Sequence, residues 1–125
     1  MTLNDITFAV RGAAFDVLRE LGPGLLEHIY KHALAFELQA RGLNVSMEVP
    51  VRVIYKDNPL DIGYRIDLLV EDCLLIEVKS VEALHPVHKK QLLTYLRLYD
   101  RKLGLLINFN VAKLEDKKSI IRIIN

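Results

Sequence analysis

Asp67, Glu77 and Lys79 are the residues whose types and spacing point most directly to chemistry. Glu77-Val78-Lys79 closes an otherwise apolar run that starts at Leu74 and reads as a β-strand. Asp67 lies in the run before it, Gly63-Tyr64-Arg65-Ile66-Asp67-Leu68-Leu69-Val70. Strand side chains alternate faces, so Glu77 and Lys79 share one face and Val78 takes the other. An acid and an ammonium are costly to bury unpaired. A hairpin around Glu71-Asp72-Cys73 brings Asp67 beside them, so that two carboxylates and an ammonium share one place. That set suits metal-assisted hydrolysis of a phosphodiester, whose own charge repels hydroxide. A divalent cation offsets that charge, acidifies a bound water and stabilises the leaving oxygen. Asp67 and Glu77 are the expected ligands of Mg²⁺ (or Mn²⁺), which prefers oxygen, with the backbone carbonyl of Val78 as a further donor. Lys79 is placed to orient or deprotonate the water and to hold the scissile phosphate. The simpler alternative is a buried Glu77–Lys79 salt bridge, because E-x-K is a common strand tripeptide.

Other polar residues at helical spacing extend this set. His88, Gln91 and Tyr95 are separated by three and four residues and so lie together on one helix face. Gln91 and Tyr95 form a Q-x-x-x-Y pair suited to contacting substrate or bracing Lys79. Their plainer reading is a tyrosine at the core boundary and a solvent-facing glutamine. Glu27, in Gly24-Leu25-Leu26-Glu27, fits a helix start with Gly24 as N-cap and the acid at the third position, favoured by the dipole and free amides. Its second reading takes it to the metal, through a bridging water, and the two are compatible. Tyr30 follows one turn later on the same face.

The elements that must position these residues follow from periodicity. Residues 5–21 carry Ile6, Val10, Ala13, Ala14, Val17, Leu18 and Leu21 on one helical stripe, and Gly22-Pro23-Gly24 ends that helix. A second helix is expected from about Leu25 to Ala40, closed by Gly42. From Leu43 the period becomes two, predicting a strand to about Tyr55 in which Pro50 marks an edge or an irregularity. Lys56-Asp57-Asn58-Pro59 reads as a turn, followed by strands over about Leu60–Val70 and Leu74–Ser80 in an antiparallel meander. Pro86 opens a third helix to about Arg101. That helix serves as crossover to a buried strand, Leu103–Phe109, and Ser119–Ile124 is a last short strand. The expected order is ααβββαββ, an α/β fold with helices packed on a mixed sheet.

The chain has 125 residues, 51% hydrophobic and 26% charged, with 6 Gly and 4 Pro, and is expected to form a single domain over residues 1–125. No apolar run approaches a membrane span, and the N-terminus lacks the marks of a signal peptide. With the lone Cys73 excluding an internal disulfide, a cytoplasmic location is expected. Cys73, in a turn with no adjacent His, reads as incidental rather than as a catalytic thiol. Residues 1–78 hold 7 Lys and Arg against 12 Asp and Glu, while residues 79–125 hold 10 against 4. A basic C-terminal half suits a phosphate backbone, leaving the acidic half to carry metal ligands. An ordinary solvated surface accounts for the same distribution.

The chain resembles the GxxExxY proteins, a branch of the PD-(D/E)XK nuclease superfamily. The naming motif stands as Gly24-Leu25-Leu26-Glu27-His28-Ile29-Tyr30. Gly63-Tyr64-Arg65-Ile66-Asp67, Ile76-Glu77-Val78-Lys79, Gln91-Leu92-Leu93-Thr94-Tyr95 and Gly104-Leu105-Leu106-Ile107-Asn108-Phe109 are similar to its other hallmarks. Ile66-Asp67 departs from the Pro-Asp of the superfamily name. The resemblance implies the restriction-endonuclease-like αβββαβ core. It further implies a metal site from Asp67, Glu77 and Lys79, assisted by Glu27, and a RecB-like Q-x-x-x-Y element in Gln91 and Tyr95. The expected activity is Mg²⁺-dependent hydrolysis of DNA, with Tyr30, His88 and Tyr95 as substrate contacts. The alternative is a catalytically silent nucleic-acid-binding or protein-interaction module on the same fold. A homodimer is a further expectation, since a two-fold pair sets two sites on one duplex.

Overall fold

The computed structural model describes residues 1–61 and 63–125. Helix α1 (Leu3–Leu21) starts two residues earlier than its apolar stripe suggests, because Thr2 caps it. The Thr2 hydroxyl accepts from the Asp5 amide at 3.1 Å, and the Asp5 carboxylate accepts from the Thr2 amide at 2.9 Å. Helix α2 (Glu27–Ala40) has Leu26, not Gly24, as its N-cap. Glu27 is therefore the first helical residue, and the expected capping arrangement does not form. Helix α3 (Pro86–Tyr99) stops two residues short of Arg101, where Asp100 turns left-handed at φ 57°. Arg101 then reaches back to the carbonyl and carboxylate of Asp72, at 2.7 and 3.0 Å.

The long strand expected from Leu43 to Tyr55 is two strands. Strand β1 (Val45–Pro50) lies at the edge of the main sheet, consistent with Pro50. Strands β2 (Val53–Tyr55) and β3 (Asn58–Leu60) form a separate hairpin, turned at Lys56 and Asp57 with positive φ at both. The strand expected from Leu60 begins at Arg65 as β4 (Arg65–Val70), and Ile62 of that expected span lies outside the described residues. Strands β5 (Leu74–Lys79), β6 (Leu103–Asn108) and β7 (Ile120–Ile124) complete a five-stranded sheet of order β1-β4-β5-β6-β7. Pairing is antiparallel except between β5 and β6, which run parallel through the α3 crossover. The result is a mixed sheet flanked by helices, as the residue pattern implies.

Two apolar layers hold the sheet. Leu34 and Leu38 of α2, with Val10 and Ala14 of α1, pack on Leu74, Ile76, Val78, Leu105 and Ile107. On the other face, Leu92, Tyr95 and Leu96 of α3 pack on Leu69, Leu75 and Leu106. Strict alternation fails at one place. Met47 and Leu68 face the α1/α2 layer, whereas their strand neighbours Val49 and Ile66 face the α3 layer. The two strands roll over together at Glu48 and Asp67, and Glu48 has φ 53°, which non-glycine residues rarely adopt. A polar pair at the roll thus borders both layers.

Helix α3 approaches β6 closely because residue 104 is glycine. A Cβ there meets three atoms of the Leu92 side chain at 3.0 Å, and Leu92 is fully buried. Gly104→Ala is expected to cost about 1–3 kcal/mol by overpacking, measured by chemical denaturation. A neutral outcome means Leu92 has room to move.

Candidate active site

The antiparallel ladder between β4 and β5 runs Val70–Leu74, Leu69–Leu75 and Leu68–Ile76, and there it stops. Both strands continue, β4 to Arg65 and β5 to Lys79, but they diverge. In the opening, acid side chains take over the hydrogen bonds that the ladder gives up. The Asp67 carboxylate accepts from the Val78 amide at 2.8 Å, and the Glu77 carboxylate accepts from the Asp67 amide at 3.3 Å. Amide and carbonyl of one strand residue point to the same side, so the Val78 carbonyl is turned into this opening as well. On its other side β5 stays paired with β6 through Lys79 and Asn108.

Both acids resist ionising here. Burial lifts the Glu77 carboxyl to about 8, helped by the charge of Asp67, against the Asp67 amide and Lys79. Asp67 is also raised, first by burial, while the Val78 amide, Lys31 and Lys79 favour its charged form. Glu77 is 5% exposed and on the α3 side, one step beyond Leu75. A buried and a half-buried carboxylate crowded together in this way want a cation. Lys79 does not pair with Glu77 within 4.0 Å among the described residues, so the simple salt-bridge alternative does not form. Lys31 of α2 approaches instead, bonded to Glu48 and 3.9 Å from the Asp67 carboxylate.

The segment after β5 is pinned by Asn108, buried at 3% exposure inside an apolar strand. Its amide group accepts from the Val81 and Asn110 backbones and donates to the Val81 carbonyl. The Phe109 amide donates to the Lys79 carbonyl at 2.9 Å. Glu27 reaches this segment too: its carboxylate accepts from the Ser80 amide at 3.4 Å, and the Ser80 hydroxyl donates to the Leu25 carbonyl at 2.6 Å. Glu27 therefore stands at the rim of the opening. Among the described residues no three or more of His, Cys, Asp and Glu gather at metal-binding spacing.

Gln91 and Tyr95 do form a pair, the amide donating to the phenol oxygen at 3.0 Å. Gln91 is half-buried rather than solvent-facing, and Tyr95 is buried with its hydroxyl proton held by burial and the nearby Glu77 charge. Tyr64 tilts against the Tyr95 ring at 5.4 Å and is itself exposed. His88 accepts from the His85 amide at 3.0 Å, capping α3, and is held toward its neutral form by burial and Lys79. Tyr30 corrects the expectation of a substrate contact. Its ring is fully buried and stacked on Phe109 at 4.8 Å, while its hydroxyl donates to the Gly22 carbonyl and accepts from the Leu25 amide. It staples the α1–α2 loop that carries Glu27. Cys73 sits in the turn at the opposite end of the hairpin, half-buried against the Val70 carbonyl.

A family model for the PD-(D/E)XK nuclease superfamily matches residues 4–123. The chain belongs to the PD-(D/E)XK nuclease superfamily. No curated protein and no solved structure matches it. Asp67, Glu77 and Lys79, the acids and lysine expected from the sequence, lie where β4 and β5 diverge. Lys31, Glu48 and Asn108 are the residues to which motif reading gives no role of their own. Lys31 follows Glu27 by four residues, and so shares its helix face, and Asn108 is a polar residue in an apolar run. Both signals are present in the chain.

The donors fit a divalent ion: two carboxylates and a carbonyl, all oxygen, with charge that burial leaves undersatisfied. The ionisation of Glu77 has a measurable sign. An acid raised from 4.5 to about 8 stabilises the fold below pH 4.5, and that contribution is lost as pH rises to about 8. In metal-free buffer the melting temperature is expected to fall between those limits, and Glu77→Gln to flatten that fall and be the more stable protein at pH 8. A wild-type curve that rises over this window means Glu77 is ionised throughout.

Proposed function

We propose that this PD-(D/E)XK chain is a Mg²⁺- or Mn²⁺-dependent nuclease that hydrolyses phosphodiester bonds in DNA. The observation that carries this reading is the β4–β5 opening, where two carboxylates, one inward carbonyl and the end of β5 bearing Lys79 meet. Asp67, Glu77 and the Val78 carbonyl would hold the ion. When bound, the ion offsets phosphate charge and makes a bound water more acidic. Lys79 lies two residues beyond Glu77 on the same strand side, and its ammonium holds the scissile phosphate and orients the attacking water. Glu27 and Asn108 act on the backbone that carries Lys79, fixing Ser80 and Val81 from opposite sides. Gln91 and Tyr95 close the α3 side as a pre-bonded pair, so neither donor has to be ordered at the moment of reaction. Exposed Lys89 and Lys90 on α3, with the basic surplus after Lys79, favour a polyanion.

A panel of single-stranded, duplex and branched DNA and of RNA, each with Mg²⁺, Mn²⁺ or chelator, tests the proposal. Metal-dependent DNA cleavage is expected, and Asp67→Ala, Glu77→Ala and Lys79→Ala are each expected to lower its rate roughly a hundredfold or more. Cleavage that survives all three changes places the chemistry elsewhere. Cleavage of RNA alone keeps the site and replaces the substrate. Absence of both cleavage and Mn²⁺ binding leaves the silent nucleic-acid-binding module as the reading.

A further inference from the structure

Lys31 is an unusual partner for the acids. It projects from α2 with only 16% of its side chain exposed, and the acidic groups facing it are Glu48, Asp67 and Glu77. Its ammonium is bonded to the Glu48 carboxylate and lies 3.9 Å from that of Asp67. Glu48 stands across from Asp67 at the place where β1 and β4 roll over, and it holds a left-handed backbone at φ 53°. Such a conformation costs on the order of 1–2 kcal/mol for a residue other than glycine, so the surrounding structure must enforce it. The Glu48 side chain is half exposed, at 49%, whereas Asp67 is 19% exposed. Lys31 thus bridges a buried acid and an outer one.

We infer that Lys31 is the resting counter-cation of the carboxylate site, an ammonium bonded to Glu48 that also neutralises Asp67 in the metal-free protein and withdraws from Asp67, keeping Glu48 alone, when a divalent ion enters. This rests on the metal-dependent reading above. The ion and the ammonium repel each other at this range, so they do not share Asp67. Glu48 supplies the outer anion that keeps the displaced ammonium from being left unpaired in a buried place. Neither residue touches substrate in this scheme: both are positioning residues, acting on how readily the site takes up its ion.

Calorimetric titration of the full chain with Mn²⁺, paired with metal-free melting curves, separates this role from a structural one. Lys31→Met keeps an unbranched side chain, shorter by the one charged atom, and so removes the charge with little loss of packing. It is expected to lower the melting temperature without metal yet tighten Mn²⁺ binding roughly tenfold. A lysine that only braces the fold lowers the melting temperature and leaves Mn²⁺ affinity unchanged or weaker, and that result overturns the proposal. Glu48→Gln is expected to weaken Mn²⁺ binding in the wild-type background and to have no effect in the Lys31→Met background. Equal weakening in both backgrounds makes Glu48 a ligand in its own right and overturns its role as acceptor. If Lys31→Met does not fold, Glu48→Gln alone decides: unchanged affinity rejects the withdrawal. Should neither wild type nor Lys31→Met bind Mn²⁺, the metal reading itself fails and this inference with it. Binding by Lys31→Met alone supports the inference most strongly.

Discussion

Where β4 and β5 part company, the backbone amides of Asp67 and Val78 lose the carbonyls that a continued ladder offers, and each finds a carboxylate instead. A buried amide without a partner is costly, so the divergence and the acids require each other. Apolar residues at positions 67 and 77 leave those amides unsatisfied or force the strands to zip shut. The acids in turn are crowded and desolvated, which makes the opening a place short of positive charge. The site's chemistry follows from this one exchange of backbone for side-chain hydrogen bonds, and the rest of the molecule serves to hold it open.

Two supports do that holding. On the α1/α2 side, Tyr30 anchors the Gly22–Leu25 loop from inside the core, and the loop delivers Glu27 and the Leu25 carbonyl to Ser80. On the β6 side, Asn108 makes two hydrogen bonds to Val81 in the segment after Lys79, each worth about 1 kcal/mol by usual measure. Glu27, Ser80 and Asn108, the polar residues flanking Lys79, are committed to backbone.

Much of this was legible from residue order alone. Helical and alternating periods located the helices and the meander, and the acid spacing anticipated that Asp67 and Glu77 meet across β4 and β5. What could not be read depends on backbone conformations or long-range contacts that periodicity does not carry. The strand expected through Tyr55 ends at Pro50, and inside it Glu48 turns left-handed with no glycine to announce that turn. The small β2–β3 hairpin is hard to see in the sequence because only its turn carries a signal, while its flanks continue the pattern of the main sheet. Tyr30 shares its nominal helix face with Glu27, yet its ring swings inward to Phe109, a partner seventy-nine positions away in the chain. The ammonium facing Asp67 comes from α2 rather than from Lys79, because the roll at Asp67 opens that residue to both layers.

The hydrogen bonds of Asn108 have a consequence for the order in which the molecule becomes competent. The β4–β5 hairpin closes over a three-residue turn, so its zipped half needs only neighbours in sequence. The segment bearing Lys79 is braced by contacts 27 residues distant, made only after α3 has crossed over and β6 has docked in parallel. A chain folded no further than its hairpin already owns both acids but has nothing to aim the lysine. Incomplete molecules are thereby kept from bringing Lys79 to the acids.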